Sequence, residues 1–158
     1  MNKDNITYRS PLEQLMKTPS FIKIAESGIP KAGLGVYARE HIPAGMYLGT
    51  YEGEYSPDVL YPDSAYMWGI YDYDANGKTR FSDNMIGYID AYDPYKSNWL
   101  RYVNGAKYPD LANVDSKQHY DTIEYWSNKN IRQGEELFIY YGDGYTKAYN
   151  LRWYDDPI

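Results

Sequence analysis

Apolar residues along the chain recur in short runs that polar, glycine-rich and proline-rich segments interrupt. In residues 46–54 they alternate, which places Met46 and Leu48 on one face of a strand and Tyr47 and Tyr51 on the other. Other segments have the composition of strands: 21–25, 36–40, 65–73, 79–82, 88–90, 119–127 and 136–140. Short strands at this spacing predict one mainly-β domain with small helical pieces.

The helix signals are few. Ser10-Pro11-Leu12-Glu13 is typical of a capping box with proline at the first helical position, and it predicts a helix over residues 11–17. Leu12, Leu15 and Met16 would share one face of that helix. Asp93-Pro94 predicts a helical turn that continues to residue 102.

The loops follow from turn chemistry. Asn76-Gly77 predicts a type I′ hairpin turn, because both residues accept the positive φ angles that this turn needs. Residues 104–118 are polar and without periodicity, so we expect irregular structure there. We divide the chain into a flank with a short helix over residues 1–20, one domain over 21–145, and a terminal helix or tail over 146–158 that packs on the domain.

Composition excludes several classes of function. The 158 residues contain no cysteine, which excludes disulfides, thiolate metal sites and a cysteine nucleophile, and the two histidines lie in unrelated contexts, so we expect no metal site. The net charge of −6 disfavours direct nucleic-acid binding and suits a basic partner. The chain lacks a run of about 18 apolar residues, and its start is polar, so we expect no membrane association and a soluble intracellular protein.

Several motifs stand in a specific order. The chain reads GLGVYA at 33–38, YEG at 51–53, AYMW at 65–68, NWLRYVNGA at 98–106, TIEY at 122–125 and GEELFIYYGDGY at 134–145. This order resembles the SET-domain family of protein lysine methyltransferases over residues 21–145. It is most similar to the PR branch, in which the RYVN-type segment replaces the more common Asn-His-Ser segment.

The resemblance implies a SET fold of small β-sheets in which the C-terminal segment makes a pseudoknot-like crossing under the Asn104 loop. It implies S-adenosyl-L-methionine as the cofactor, bound on the face opposite the peptide and joined to it by a narrow channel. It also implies nuclear localisation and a basic peptide, plausibly a histone tail, as the substrate, with exposed acidic residues as candidate contacts. These are Asp90, Asp93, Asp110, Asp115 and Asp121, which otherwise form a merely solvated acidic surface.

The resemblance assigns a cofactor-binding set residue by residue. Its members are Gly33, Leu34, Gly35, Tyr37, Tyr66, Asn104 and Gly105. Glycine leaves the backbone open to a bound cofactor, although a GxG alone is more often a flexible turn. Arg101, Tyr102 and Val103 are interpreted as core residues that support Asn104.

The resemblance matches Tyr141 to the catalytic tyrosine and Tyr51 and Tyr125 to pocket tyrosines around the substrate lysine. Methyl transfer needs a neutral amine, whereas free lysine has a pKa of about 10.4. An apolar aromatic channel beside a cation lowers that pKa, and tyrosine hydroxyls orient the amine without adding charge. The alternative for each tyrosine is an ordinary packed strand residue, since the chain has 21 tyrosines against 3 phenylalanines.

Two other classes of function stay open. A PR-like domain that has lost activity and recruits partners is one, favoured weakly by Gly105, where relatives often carry histidine or cysteine. A carbohydrate-binding β-domain is the other, which the tyrosine content permits but the motif order does not explain. No cysteine-rich segment follows Tyr145, so residues 148–158 or a partner would have to cover the cofactor, with Trp153 and Tyr154 as candidates unless they belong to a packed tail.

Overall fold

The computed structural model describes residues 9–80 and 84–141. One short α-helix and ten short strands account for most of the regular structure. In chain order they are α1 Pro11–Leu15, β1 Ile22–Glu26, β2 Leu34–Ala38, β3 Tyr47–Thr50, β4 Glu54–Ser56, β5 Met67–Tyr71, β6 Met85–Asp90, β7 Asn104–Gly105, β8 Val114–His119, β9 Thr122–Ser127 and β10 Phe138–Ile139. The mainly-β prediction is confirmed.

The N-terminal helix forms through the predicted capping box. The Ser10 hydroxyl accepts from the Glu13 amide at 3.1 Å, and the Glu13 carboxylate accepts from the Ser10 amide at 3.1 Å. Glu13 also accepts from the Ile24 amide at 3.1 Å, which fastens α1 to β1. The helix ends two residues earlier than predicted. Met16 is fully buried, whereas Leu15 is 41% exposed and does not share the buried face expected of it.

Strands β1 and β2 form an antiparallel hairpin whose register runs from Ile22↔Ala38 to Glu26↔Leu34. Its loop, residues 27–33, closes through a hydrogen bond from the Ser27 amide to the Gly33 carbonyl at 2.8 Å. Gly33 has a φ of +79°, a conformation that a side chain would strain. The glycine-rich segment therefore forms a defined loop at the end of the hairpin.

The central sheet has five strands in the order β3-β9-β8-β10-β7. β10 lies parallel to both of its neighbours, with Phe138 paired to Asn104 and Ile139 paired to both Gly105 and Val114. The C-terminal segment thus inserts between two strands that precede it in the chain. This insertion is the crossing beneath the Asn104 segment that the resemblance implied.

Strand β8 was not expected, because residues 104–118 were predicted to be irregular. Only Val114 of this strand is buried, and its polar side chains alternate between half-buried and exposed positions. β8 has no buried apolar face to stabilise it. It is stabilised by pairing with β9 along its whole length, from Val114↔Ser127 to His119↔Thr122. Hydropathy carries no signal for a strand that is held in this way.

The third sheet has the order β4-β6-β5. The single strand predicted over residues 46–54 is wrong, since the chain leaves the central sheet after Thr50 and enters this one at Glu54. A Cβ at Gly53 would lie 2.6 Å from the Asp90 carbonyl oxygen, so the passage requires glycine. The break places Tyr51 between the two sheets.

The Asn76-Gly77 turn differs in type from the prediction. Gly77 has a φ of +81°, but Asn76 has a negative φ, so the turn is not type I′. The Gly77 amide donates to the Asp74 carbonyl at 3.0 Å, and the Asp74 carboxylate accepts from the Asn76 amide at 2.8 Å. The Asp74 side chain thus stabilises a turn with a single left-handed residue. Of the predicted return strand over 79–82, Thr79 forms a bridge with Tyr73, and residues 81–82 lie outside the described residues.

The predicted helical stretch after Asp93 is two 3₁₀ turns, Pro94–Lys96 and Trp99–Tyr102; a third is Pro109–Leu111. The stretch breaks at Asn98, whose side chain caps the second turn and donates to the Thr50 carbonyl at 2.8 Å. That bond holds the turn against β3. Within the described residues no helix is both long enough and apolar enough to cross a membrane.

Candidate active site

Four aromatic rings meet where the central sheet and the three-stranded sheet adjoin. Tyr51 and Tyr125 are stacked, with ring centroids 5.6 Å apart. Trp68 lies against three tyrosine rings, with centroid distances of 6.4 Å to Tyr51, 6.0 Å to Tyr125 and 5.1 Å to Tyr141. We call these four residues the tyrosine pocket. The three tyrosines that the resemblance matched to the catalytic site are therefore in one cluster.

Strand register explains how residues far apart in sequence meet. Tyr125 pairs with Gly49 across β9 and β3, and the Tyr51 amide donates to the Ile123 carbonyl at 2.8 Å. Trp68 is the second residue of β5, and Tyr141 follows β10 by two residues. Each side chain of the pocket thus comes from a different strand or strand end.

A chain of hydrogen bonds orders the hydroxyls. Trp68 Nε1 donates to the Tyr125 hydroxyl at 2.9 Å. The Tyr125 hydroxyl donates to that of Tyr141, which in turn donates to the Val103 carbonyl at 3.4 Å. The Tyr51 hydroxyl donates to the Tyr66 carbonyl at 2.8 Å. The hydroxyls of the pocket are therefore oriented by the protein before any ligand binds.

Burial keeps the hydroxyls of Tyr125 and Tyr141 protonated. It raises the pKa of Tyr141 to about 12, and it raises the pKa of Tyr125 well above the ordinary value, with contributions from the neighbouring Tyr141 and Tyr51. At neutral pH both phenols are uncharged. The pocket can orient a substrate amine by neutral hydrogen bonds, but it has no tyrosinate with which to remove a proton.

Alkaline pH should destabilise the domain through these tyrosines. A phenol whose pKa is higher in the folded than in the unfolded state stabilises fully below the unfolded value of about 10. That contribution is lost as the pH rises through the folded value, which is about 12 for Tyr141. We expect the free energy of unfolding to fall above about pH 10. Chemical denaturation at increasing pH measures it, and Tyr125→Phe should reduce the slope, whereas an unchanged slope would contradict the prediction.

The glycine loop, Gly33 to Gly35, lies at the start of β2. Among residues 9–80 and 84–141, no atom lies within 4 Å of a Cβ built at Gly33, and Leu34 is 37% exposed, so this part of the structure leaves the space beside Gly33 open. At Gly35 a Cβ would overlap the Glu136 carboxylate. Gly35 is thus required by the packing of Glu136, a reason different from the open backbone that the sequence suggested.

Asn104 links the glycine loop to the crossing. Its Nδ2 donates to the Leu34 carbonyl at 3.0 Å and lies 3.4 Å from Glu136 Oε2. Gly105 is buried and pairs with Ile139 of β10. Because Val103, which accepts from Tyr141, precedes Asn104, the loop and the tyrosine pocket are neighbours.

The other two predicted cofactor residues lie on either side of this group. The Tyr37 hydroxyl donates to the Glu26 carbonyl at 2.7 Å, and burial and the Glu136 carboxylate raise its pKa. The Tyr66 ring lies under the Arg101 guanidinium at 4.0 Å, and its carbonyl accepts from Tyr51. An open groove of about 400 Å³ is lined by Lys23, Arg39 and Gln133, and of the predicted residues only Tyr37 borders it.

Sequence reasoning did not assign a role to two residues at this centre. Trp68 was part of the AYMW motif, and only the sheet packing shows that it contacts all three pocket tyrosines. Glu136 was part of GEEL, where it is indistinguishable from the exposed Glu135. Trp153 and Tyr154, the candidate cofactor cover, lie outside the described residues.

The prediction that Asp90 is an exposed acidic contact for the substrate is wrong. Asp90 is 2% exposed, and its Oδ1 accepts from the Ser64 hydroxyl at 2.6 Å and from the Tyr92 amide at 3.0 Å. Its role is to fix the end of β6. Asp93 likewise caps a 3₁₀ turn through the Tyr95 amide.

Comparison with known proteins identifies the family. The family model for the PR domain of PR domain zinc finger protein 2 matches residues 22–152. Histone-lysine N-methyltransferase set-17 of Caenorhabditis elegans is 39% identical over 133 residues, which are 83% of this chain and 44% of the relative. Histone-lysine N-methyltransferase PRDM7 of Homo sapiens is 33% identical over 148 residues, 93% of this chain and 28% of the relative.

The fold agrees. The methyltransferase domain of human PR domain-containing protein 2 superimposes with a TM-score of 0.66 at 28% identity, covering 92% of this chain and 86% of that domain. The chain spans less than half the length of the two relatives named above. On the match to the family model and the shared fold, the chain belongs to the PR-domain branch of the SET-domain family.

Proposed function

We propose that this domain is an S-adenosylmethionine-dependent protein lysine N-methyltransferase that acts on the basic peptide of a histone tail. One observation carries the proposal. The three matched tyrosines form a neutral, hydrogen-bonded pocket, and Tyr141 of that pocket binds the carbonyl next to Asn104 of the glycine-loop group. The names of the relatives support the same reaction.

The pocket suits a lysine side chain. An aromatic, largely buried site disfavours an ammonium ion relative to the free amine, so it lowers a lysine pKa from its ordinary value of about 10.4. The Tyr141 hydroxyl and the Val103 carbonyl lie where they can hold the amine in one orientation. Orientation of the reacting atoms is the main contribution that we assign to these residues.

The residues around the glycine loop fit a cationic methyl donor. Bound S-adenosylmethionine would supply an electrophilic methyl group on a sulfonium. The backbone groups of Gly33 and Leu34 border an open space that a ligand can enter. Asn104 Oδ1 accepts no hydrogen bond within residues 9–80 and 84–141, so it can accept one from the ligand. We assign cofactor binding to Gly33, Leu34, Tyr37, Tyr66, Asn104 and Gly105, with Gly35 supporting the loop.

The substrate and location follow from the same reasoning. A net charge of −6 favours the approach of a basic tail. A histone substrate places the protein in the nucleus.

The direct test combines calorimetry with a methylation assay. Titration with S-adenosylmethionine should show binding, and incubation with the labelled cofactor and a panel of histones should label one lysine that mass spectrometry identifies. Binding without transfer to any histone or peptide would favour the alternative of a recruitment module. Absence of both binding and transfer would overturn the proposal.

Tyr125→Phe should change the number of methyl groups added. The Tyr125 side chain is fully buried, and its hydroxyl occupies volume beside Tyr141. Its removal makes room for a further methyl group, so products should shift toward higher methylation even if the first transfer slows. Mass spectrometry of the product peptide at matched conversion measures the shift. An unaltered product ratio with stability lowered by about 1 kcal/mol would assign the hydroxyl a structural role, through its bond with Trp68.

A further inference from the structure

The Glu136 carboxylate is buried at the junction of the glycine loop, Asn104 and the segment that leads to Tyr141. The residue is 9% exposed and lies just before β10. We propose that Glu136 is the positioning residue of the cofactor loop: it holds residues 27–28 and Asn104 in the arrangement that receives the cofactor. This proposal rests on the proposed function for the identity of the ligand.

Neutral donors from two segments converge on the carboxylate. The Ser27 hydroxyl donates to Oε2 at 2.7 Å, and the Gly28 amide donates to Oε1 at 2.9 Å. Asn104 Nδ2 lies 3.4 Å from Oε2. Among the described residues no lysine or arginine forms an ion pair with Glu136. A buried carboxylate with no cation beside it is stabilised by its hydrogen bonds. Losing the bonds to Ser27, Gly28 or Asn104 would therefore cost free energy.

The bond to Ser27 sets the shape of the whole loop. The Ser27 hydroxyl, which donates to Glu136, also accepts from the Ile29 amide at 3.0 Å. The Ser27 amide donates to the Gly33 carbonyl, which closes the loop. Glu136 therefore orients the serine side chain on which the turn at residues 27–29 depends.

Gly35 supports the same assignment. Its φ does not require glycine, but any side chain there would overlap the Glu136 carboxylate and approach Ser27 Cβ at 3.1 Å. The second glycine of the GLG motif thus provides the space in which Glu136 reaches the loop. Packing of Glu136 accounts for a glycine that would otherwise be assigned to cofactor contact.

The backbone around Glu136 is fixed on both sides. The Ala38 amide donates to the Glu135 carbonyl at 2.9 Å, and the Leu137 amide donates to the Val36 carbonyl at 2.7 Å. Asn113 Nδ2 donates to the Glu136 carbonyl at 2.9 Å. The same segment continues through β10 to Tyr141. Glu136 thereby aligns the glycine loop with the tyrosine pocket through one hydrogen-bonded stretch of chain.

Glu136→Gln tests the proposal, with Glu135→Gln as the matched control. Glutamine keeps the size of the side chain but replaces one acceptor oxygen with an NH₂ donor, which faces other donors. The Glu135 side chain is exposed, and among the described residues its carboxylate contacts only Arg132: Oε1 accepts from the Arg132 amide at 2.7 Å and lies 3.6 Å from the Arg132 Nε. We expect Glu136→Gln to raise the Kd of S-adenosylmethionine and of the neutral S-adenosylhomocysteine by the same factor, about tenfold. Glu135→Gln should leave both constants unchanged.

Hydrogen exchange of the unliganded protein gives a second readout that does not depend on the ligand. In Glu136→Gln the amides of Gly28 and Ile29 should exchange faster, while the β8–β9 amides remain as in the wild type. If exchange rises throughout the domain, Ser27→Ala replaces Glu136→Gln as the test variant, with the same expectation for the loop and for binding. Unchanged loop exchange overturns the proposal.

Two binding results would also overturn it. If Glu136→Gln binds both molecules with the affinity of the wild type, the loop does not need the Glu136 carboxylate. Weaker binding of S-adenosylmethionine alone would assign the carboxylate to direct attraction of the sulfonium charge instead of loop positioning. If the wild type binds neither molecule, the proposed function fails, whereas the exchange data still decide whether Glu136 holds the loop.

Discussion

Replacing Tyr141 with phenylalanine should lower the turnover number roughly 100-fold while the protein stays folded. The Tyr141 hydroxyl lies 3.4 Å from the Val103 carbonyl and is hydrogen-bonded to Tyr125. Its loss removes the group that orients the amine, but the ring keeps its contact with Trp68 at 5.1 Å between centroids. The affinity for S-adenosylmethionine should change little, because Tyr141 is not among the residues to which we assign cofactor binding.

The control for this experiment is Tyr120→Phe. Tyr120 is 40% exposed, and its hydroxyl donates to the Ala75 carbonyl at 3.2 Å, away from the pocket. Methylation rates at saturating cofactor and peptide, measured with the melting temperature, separate a catalytic from a structural effect. If the folded Tyr141→Phe protein methylates at the wild-type rate, the assignment of Tyr141 as the catalytic tyrosine is wrong.

Local chemistry in the sequence is sufficient where the interaction is short in range. The capping box of Ser10 and Glu13 forms as predicted, because both partners lie within one turn of helix. Asn76-Gly77 does form a turn, but the Asp74 carboxylate selects a type with only Gly77 left-handed. The prediction named the place of the turn and missed its geometry, since a neighbouring side chain outside the dipeptide decides it.

Long-range pairing could not be predicted from hydropathy. β8 has one buried residue, Val114, and depends on β9 and β10 for its hydrogen bonds. The predicted strand over 46–54 has the right alternation, yet Gly53 must pass close to the Asp90 backbone and divides it. In both cases the partner strand, and not the segment itself, determines the structure.

The clustering of the matched tyrosines agrees with what the resemblance implied, whereas several of the strands that carry them differ from the prediction. The motif order placed Tyr51, Tyr125 and Tyr141 in one pocket, and the structure brings them together. Catalytic assignment of these residues stays a prediction. Glu136 differs from Glu135 in burial and in hydrogen-bond partners, which depend on the fold, so no signal within the sequence separates the two.

Trp68→Ala should have the largest effect on stability among the pocket variants, lowering the free energy of unfolding by about 3 kcal/mol. The indole fills the space between three tyrosine rings, and its Nε1 donates to the buried Tyr125 hydroxyl at 2.9 Å. Its removal creates a cavity and takes away one of the hydrogen bonds that orient the Tyr125 hydroxyl. Turnover should therefore fall together with stability.

Two phenylalanine variants separate packing from the hydrogen bond. Trp68→Phe keeps most of the ring volume but loses the Nε1 donor, so it should cost about 1 kcal/mol and reduce turnover more than affinity for the cofactor. Trp126→Phe is the matched control, because Trp126 Nε1 donates at 3.1 Å to the half-buried Glu124 on the other face of β9. Chemical denaturation and rates at saturating cofactor measure both effects. If Trp68→Phe matches Trp126→Phe in stability and in turnover, the indole of Trp68 does not orient Tyr125, and the pocket depends on ring packing alone.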